Sequence, residues 1–187
     1  MPKRLTNGCF VFKDHPDFKP NLSPREIMKQ GAFGGTYWRP IKSCVGDKRE
    51  LQKQYKKYPS SWWSGIPLDH MVRDWKDYDK SINKYGVSCG ETYSFWCHKR
   101  WITHWDPYGW YQWYCSFFNG RRCPDDERQI KRWLGVAGRF GNRLINMLIK
   151  KRKSAKDVEE VSPKIAQTLH HWGIEIKQRM LTSGLIN

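Results

Sequence analysis

The side chains best equipped for chemistry are crowded between Arg121 and Lys153, where eleven Lys or Arg stand against three acidic residues. Arg121, Arg122, Arg128, Lys131, Arg132, Arg139, Arg143, Lys150 and Lys151 fall mostly opposite apolar positions of helical spacing. A face of that kind neutralises phosphates and releases their counterions, giving affinity with little sequence preference and a steep loss with salt. Just upstream, Trp110, Tyr111 and Trp113 offer rings on which unpaired bases can stack. Two sets of groups suit acid–base work: His104 with Asp106, and Asp125, Asp126 and Glu127 beside Arg121, Arg122 and Arg128. Adjacent carboxylates with arginines nearby can hold Mg²⁺ or act on a phosphodiester.

Each reading has a plainer competitor. Basic residues opposite an apolar stripe are also ordinary solvated surface, or a face that lies on anionic membrane. Asp125, Asp126 and Glu127 at a helix start are also dipole and capping chemistry. The wide rings fill the core of a domain short of Leu, Ile and Val. His170-His171 before Trp172 reads as structural. Cys97, His98, His104, Cys115 and Cys123 would supply ligands for zinc, but their spacing departs from that of zinc sites, whose ligand pairs lie close together in sequence. GAFGGTYWRP lacks the lysine and hydroxyl residue of a phosphate-binding loop and reads as a tight turn packed on the domain. No nucleophile elbow, dinucleotide fingerprint or HExxH is present.

The elements that must position these groups follow from caps and periodicity. Ser23, Pro24, Glu26 and Gly31 mark one short helix at about 24–30, within a less regular N-terminal arm spanning 1–45. The polar run 47–58, stopped by Pro59, is expected to be an exposed helix. Leu68, Met71, Val72 and Trp75 predict an amphipathic helix ending at Gly86, and another short one begins near Glu91. Asp106 and Pro107 open a helix over 107–119 that is apolar all round and so belongs in the middle of a bundle. A helix over 124–134 turns Ile130, Trp133 and Leu134 inward; Gly135 and Gly138 break it, and a helix resumes over 139–152. Ser162 and Pro163 open a last helix to 172, and the tail beyond Gly173 has no clear pattern.

WLGVAGRFGNRL resembles the hairpin of a helix-hairpin-helix element, whose glycines let the backbone approach DNA while the next helix offers its amides to a phosphate. Gly135-Val136-Ala137-Gly138 carries one residue more than the usual Gly-apolar-Gly core. Relatives of that motif include DNA glycosylases, in which an aspartate further along assists base excision; Asp157 lies downstream here, in surroundings that do not match. The strings GAFGGTYWRP, NKYGVSCG, DPYGWYQWY, GRRCPDDERQIKRW and LHHWG together resemble a family of small, uncharacterised basic proteins from fungi, algae and related viruses. That resemblance spans about Ser23 to Gly173 and implies a single compact domain; it brings no activity with it.

Across the 187 residues, 34 Lys and Arg outweigh 18 Asp and Glu for a formal charge of +16, which favours polyanionic partners. No apolar run approaches the roughly 18 to 20 residues that span a bilayer, so no integral membrane association is expected. The opening MPKRLTNGCFVF does not read as a secretory signal, and six scattered cysteines without a CxxC argue for reduced thiols. The expectation is an intracellular protein of the nucleus, a viral factory or a virion. Its fold is expected to be mainly α: one compact helical domain, its body spanning 46–187, with an aromatic-rich core. Its expected function is nucleic-acid binding, DNA ahead of RNA. The alternatives are an enzyme of glycosylase or nuclease type working on nucleic acid or a nucleotide, with Mg²⁺ or zinc as candidate cofactor, and a structural component of chromatin or a virion.

Overall fold

In the computed structural model, which describes residues 2–183, helix α4 (Trp110–Phe118) runs through the middle of the protein with every side chain buried. Composition is the cause: WYQWYCSFF has no charge and presents rings in every direction, so no face prefers water. Against it packs α5 (Asp126–Val136), and α6 (Asn142–Lys150) and α8 (Pro163–His171) join the same core; together the three contribute Ile130, Trp133, Leu144, Leu148 and Leu169. Shorter helices complete the chain: α1 (Pro24–Gln30), α2 (Asp69–Val72), α3 (Tyr93–His98), α7 (Val158–Val161) and α9 (Met180–Ser183). The only strands among the described residues are two antiparallel ribbons, β1 (Lys3–Arg4) with β2 (Phe10–Val11) and β3 (Ile41–Lys42) with β4 (Glu50–Leu51). The protein is therefore mainly helical around an aromatic core.

The N-terminal segment is irregular, yet it is embedded. Phe10, Phe12, Phe18, Tyr37 and Trp38 belong to the core, and Phe18 meets Trp133 edge to face at 5.1 Å. A loop buried in this way must find partners for its backbone groups. Tyrosine hydroxyls from the central helix supply them: Tyr111 donates to the Pro24 carbonyl and Tyr114 to that of Leu22, both at 2.7 Å. Tyr37 answers from the other side, donating to the Tyr108 carbonyl and accepting from the Gln112 amide. The rings thus do two things at once, filling volume and closing hydrogen bonds that a regular element would have closed itself.

Several expectations are corrected. The run 47–58 is β4 followed by a 3₁₀ turn at Gln54–Lys57, because Leu51 is drawn into a ribbon by pairing with Ile41. The amphipathic helix expected through Leu68, Met71, Val72 and Trp75 to Gly86 is instead α2 and two 3₁₀ turns, since Asp74 and Asp79 accept from the amides of Lys76 and Ser81 and cap each turn locally. These turns wrap the Gly34–Gly35 corner, where a Cβ on Gly35 would come within 2.8 Å of the Asp69 carbonyl. Gly135 and Gly138 do not open a hairpin: the chain continues through a π-helical turn at Ala137–Gly141 from α5 into α6. Burial of Trp133, Ala137 and Leu144 on the inner side outweighs the helix cost of the glycines, about 1 kcal/mol each. Finally, Cys44 and Cys97 form a disulfide that ties the β3–β4 loop to α3, against the expectation of reduced thiols throughout. No helix among the described residues is long and apolar enough to cross a membrane.

Candidate nucleic-acid interface

Because α5, the π-helical turn and α6 are continuous, their solvent side forms one ridge. Lys131, Gly135, Arg139, Asn142, Arg143, Asn146 and Lys150 are all exposed and recur at three- or four-residue intervals. At about 1.5 Å per residue the row from Lys131 to Lys150 is roughly 28 Å long. From Arg128 to Lys156 the chain contains ten Lys or Arg and no Asp or Glu. Among the described residues no carboxylate lies within ion-pair distance of Lys131, Arg139, Arg143, Lys150 or Lys151. These five cations are therefore exposed with no carboxylate to offset them.

The other basic candidates are engaged. Arg121 grips the buried carboxylate of Asp106 with both terminal nitrogens, one of them at 2.9 Å. Arg122 pairs with Asp14 and lies 3.7 Å over the Phe117 ring. Arg128 is held by Asp125 at 2.8 Å. Arg132 sits between the rings of Trp101 and Trp172; burial, with the neighbouring Arg128 charge, pushes its pKa down to about 10, so it stays charged at neutral pH. These four are built into the α5 end of the fold and are not free to rearrange around a phosphate.

The aromatic assignment changes as well. Trp110, Tyr111 and Trp113 lie inside α4, and the Trp113 indole is fully buried, donating at 2.8 Å to Asp126. They cannot stack on a base without unfolding the core. The exposed tryptophans among the described residues are Trp105 at 43%, Trp101 at 37% and Trp75 at 37%. The sequence held a signal for the first two: WITHW sits among polar residues and belongs to no apolar stripe.

The acid–base candidates are dispersed. Asp125 is taken by Arg128 and Gln129, and Asp126 by Trp113 and the Cys123 amide, while Glu127 is exposed. Asp106 is 1% exposed, and burial raises its pKa despite Arg121 and Ser116. His104 is exposed and rests against Trp105, with a ring separation of 4.7 Å; it makes no hydrogen bond to Asp106. Cys97 is spent in the disulfide, and among the described residues no group of three or more His, Cys, Asp or Glu is placed to hold a metal ion. No family model matches the chain, and no curated protein or solved structure matches it either.

Proposed function

We propose that the protein binds nucleic acid along the outer ridge of α5 and α6. The observation that carries this reading is the row of unpaired cations, Lys131, Arg139, Arg143 and Lys150 with Lys151 at its end, on a stretch free of acidic residues. Five such contacts imply a salt slope of about −4 to −5, near 0.9 for each phosphate on duplex. The positions between them are Gly135, Asn142 and Asn146, small or neutral groups that let a polyanion lie close.

Anionic membrane fits less well. A helix lying on a bilayer needs an apolar face turned to lipid, and here Leu144, Ile145 and Leu148 face the core, leaving Ile149 as the exposed apolar residue of α6. The test is joint neutralisation, Arg139→Gln with Arg143→Gln and Lys150→Gln, read by fluorescence anisotropy on labelled oligonucleotides. Loss of affinity with a slope shallower by about 3 supports the ridge; an unchanged slope removes it.

A further inference from the structure

Beside α4 lies an open cleft of about 280 Å³ lined by Lys57, Tyr58, Trp105, Gln112, Ser116, Asn119 and Arg121. One water needs only about 15 Å³, so this volume is far beyond a solvation site and close to the lower range of small-ligand pockets. None of its lining residues belongs to α5 or α6.

The floor is a closed polar network. Tyr58 and Ser116 share a hydrogen bond of 2.9 Å, Ser116 lies 3.0 Å from the Gln112 carbonyl, and Asp106 receives Arg121 behind them. Gln112 keeps one donor that the protein does not use. It is 4% exposed, and its Oε1 accepts from the Tyr108 amide at 2.8 Å. Because a backbone amide can only donate, that bond fixes the orientation of the carboxamide and makes its Nε2 the free end. Nε2 has no partner among the described residues and keeps contact with solvent, so a ligand in the cleft can accept from it in place of water.

The walls specify the occupant's class. The Arg121–Asp106 pair cancels, leaving Lys57 to set a positive balance. Trp105 supplies an exposed indole face, and Asn119 a second carboxamide with both donor and acceptor. A planar ring with hydrogen-bonding edges, joined to an anion, satisfies all of these at once.

We infer that this cleft binds a single unpaired nucleotide, its base on the Trp105 indole and against the Gln112 and Asn119 amides, its phosphate at Lys57. The inference deepens the nucleic-acid reading, and rests on it for the ligand's class, by giving a bound strand a place for one base outside the helix ridge.

The test is calorimetric titration of the full chain with AMP, CMP, GMP and UMP, with ribose 5-phosphate as the probe lacking a base. Nucleotides should bind about ten-fold or more tighter than ribose 5-phosphate, and Trp105→Ala should remove about that factor. Lys57→Gln should weaken binding of nucleotides and of ribose 5-phosphate alike. Both side chains are solvent-exposed, so neither variant threatens the fold. Nucleotides that bind no tighter than ribose 5-phosphate, or with affinity unmoved by both substitutions, overturn the cleft. The triple ridge variant separates the two readings. Oligonucleotide binding that needs the ridge, with no mononucleotide binding, sinks the cleft alone; mononucleotide binding that needs Trp105, with no oligonucleotide binding, sinks the ridge alone.

Discussion

Gly135 and Gly138 give a test of the continuous helix on which the ridge depends. Both have negative φ, and a Cβ built on either meets no atom within 4 Å. Glycine in a helix interior costs about 0.8 to 1 kcal/mol relative to alanine, through backbone entropy lost on folding and the absent side chain. With open space at both positions there is no steric term to set against that gain. Gly135→Ala with Gly138→Ala should therefore stabilise the protein by about 1.5 to 2 kcal/mol. For a chain of this size each kcal/mol moves the melting temperature by about 2 to 4 °C, so the double variant should melt about 3 to 8 °C higher. Circular dichroism melts and urea titrations read the change directly. A lower melting point would refute the reasoning, since it would mean that these residues occupy a bend only glycine tolerates, as a hairpin demands.

Three further outcomes follow from the packing. Arg121→Gln leaves the Asp106 carboxylate buried without its counter-charge and should cost about 3 kcal/mol, the low end for such a pair because the Arg121 side chain is 30% exposed; adding Asp106→Asn should recover part of it, and an additive double variant would contradict the coupling. His170 is buried and held neutral, its Nε2 donating to the Ile27 carbonyl, and burial pushes its pKa down to about 4. Beside it, the bare His171 Nε2 accepts from the Phe33 amide. The unfolded chain takes up these protons near pH 6.5 and the folded chain only far below, so stability is lost as pH falls from 6.5 toward 4. For His170 alone this is about 2 kcal/mol between pH 7 and pH 5; a urea midpoint that does not fall over that range would count against it. The Cys44–Cys97 bridge closes a separation of 53 residues, and its reduction should destabilise by about 4 kcal/mol by loop entropy, read as a fall in the urea midpoint on adding dithiothreitol.

What was legible in the sequence was legible where chemistry is local. The Ser23–Glu26 capping box forms as read, with Glu26 accepting from the Ser23 amide and Gly31 closing the helix at positive φ. The all-round apolar character of α4 placed it in the middle, as found. What failed depends on residues far apart in the chain. Asp106 looked like a helix cap, but Arg121 claims its carboxylate, and α4 begins after Gly109 instead. Cys44 and Cys97 carry no spacing signal for each other. The same blindness hid the cleft: Tyr58, Trp105 and Gln112 lie in three segments that only the folded chain brings together. On the ridge, composition marked the basic stretch correctly, while the division between free cations and those already paired needed the carboxylates of Asp14, Asp106 and Asp125 in place.

The most direct test of the nucleic-acid reading is binding of single- and double-stranded DNA and RNA of matched length to the unmodified chain, followed by anisotropy from about 50 to 200 mM salt. The ridge predicts micromolar or tighter binding at the low end and a loss of several hundred-fold across the series, as five phosphate contacts require. An absence of binding at about 50 mM salt would contradict it and leave the α5–α6 cations as solvated surface.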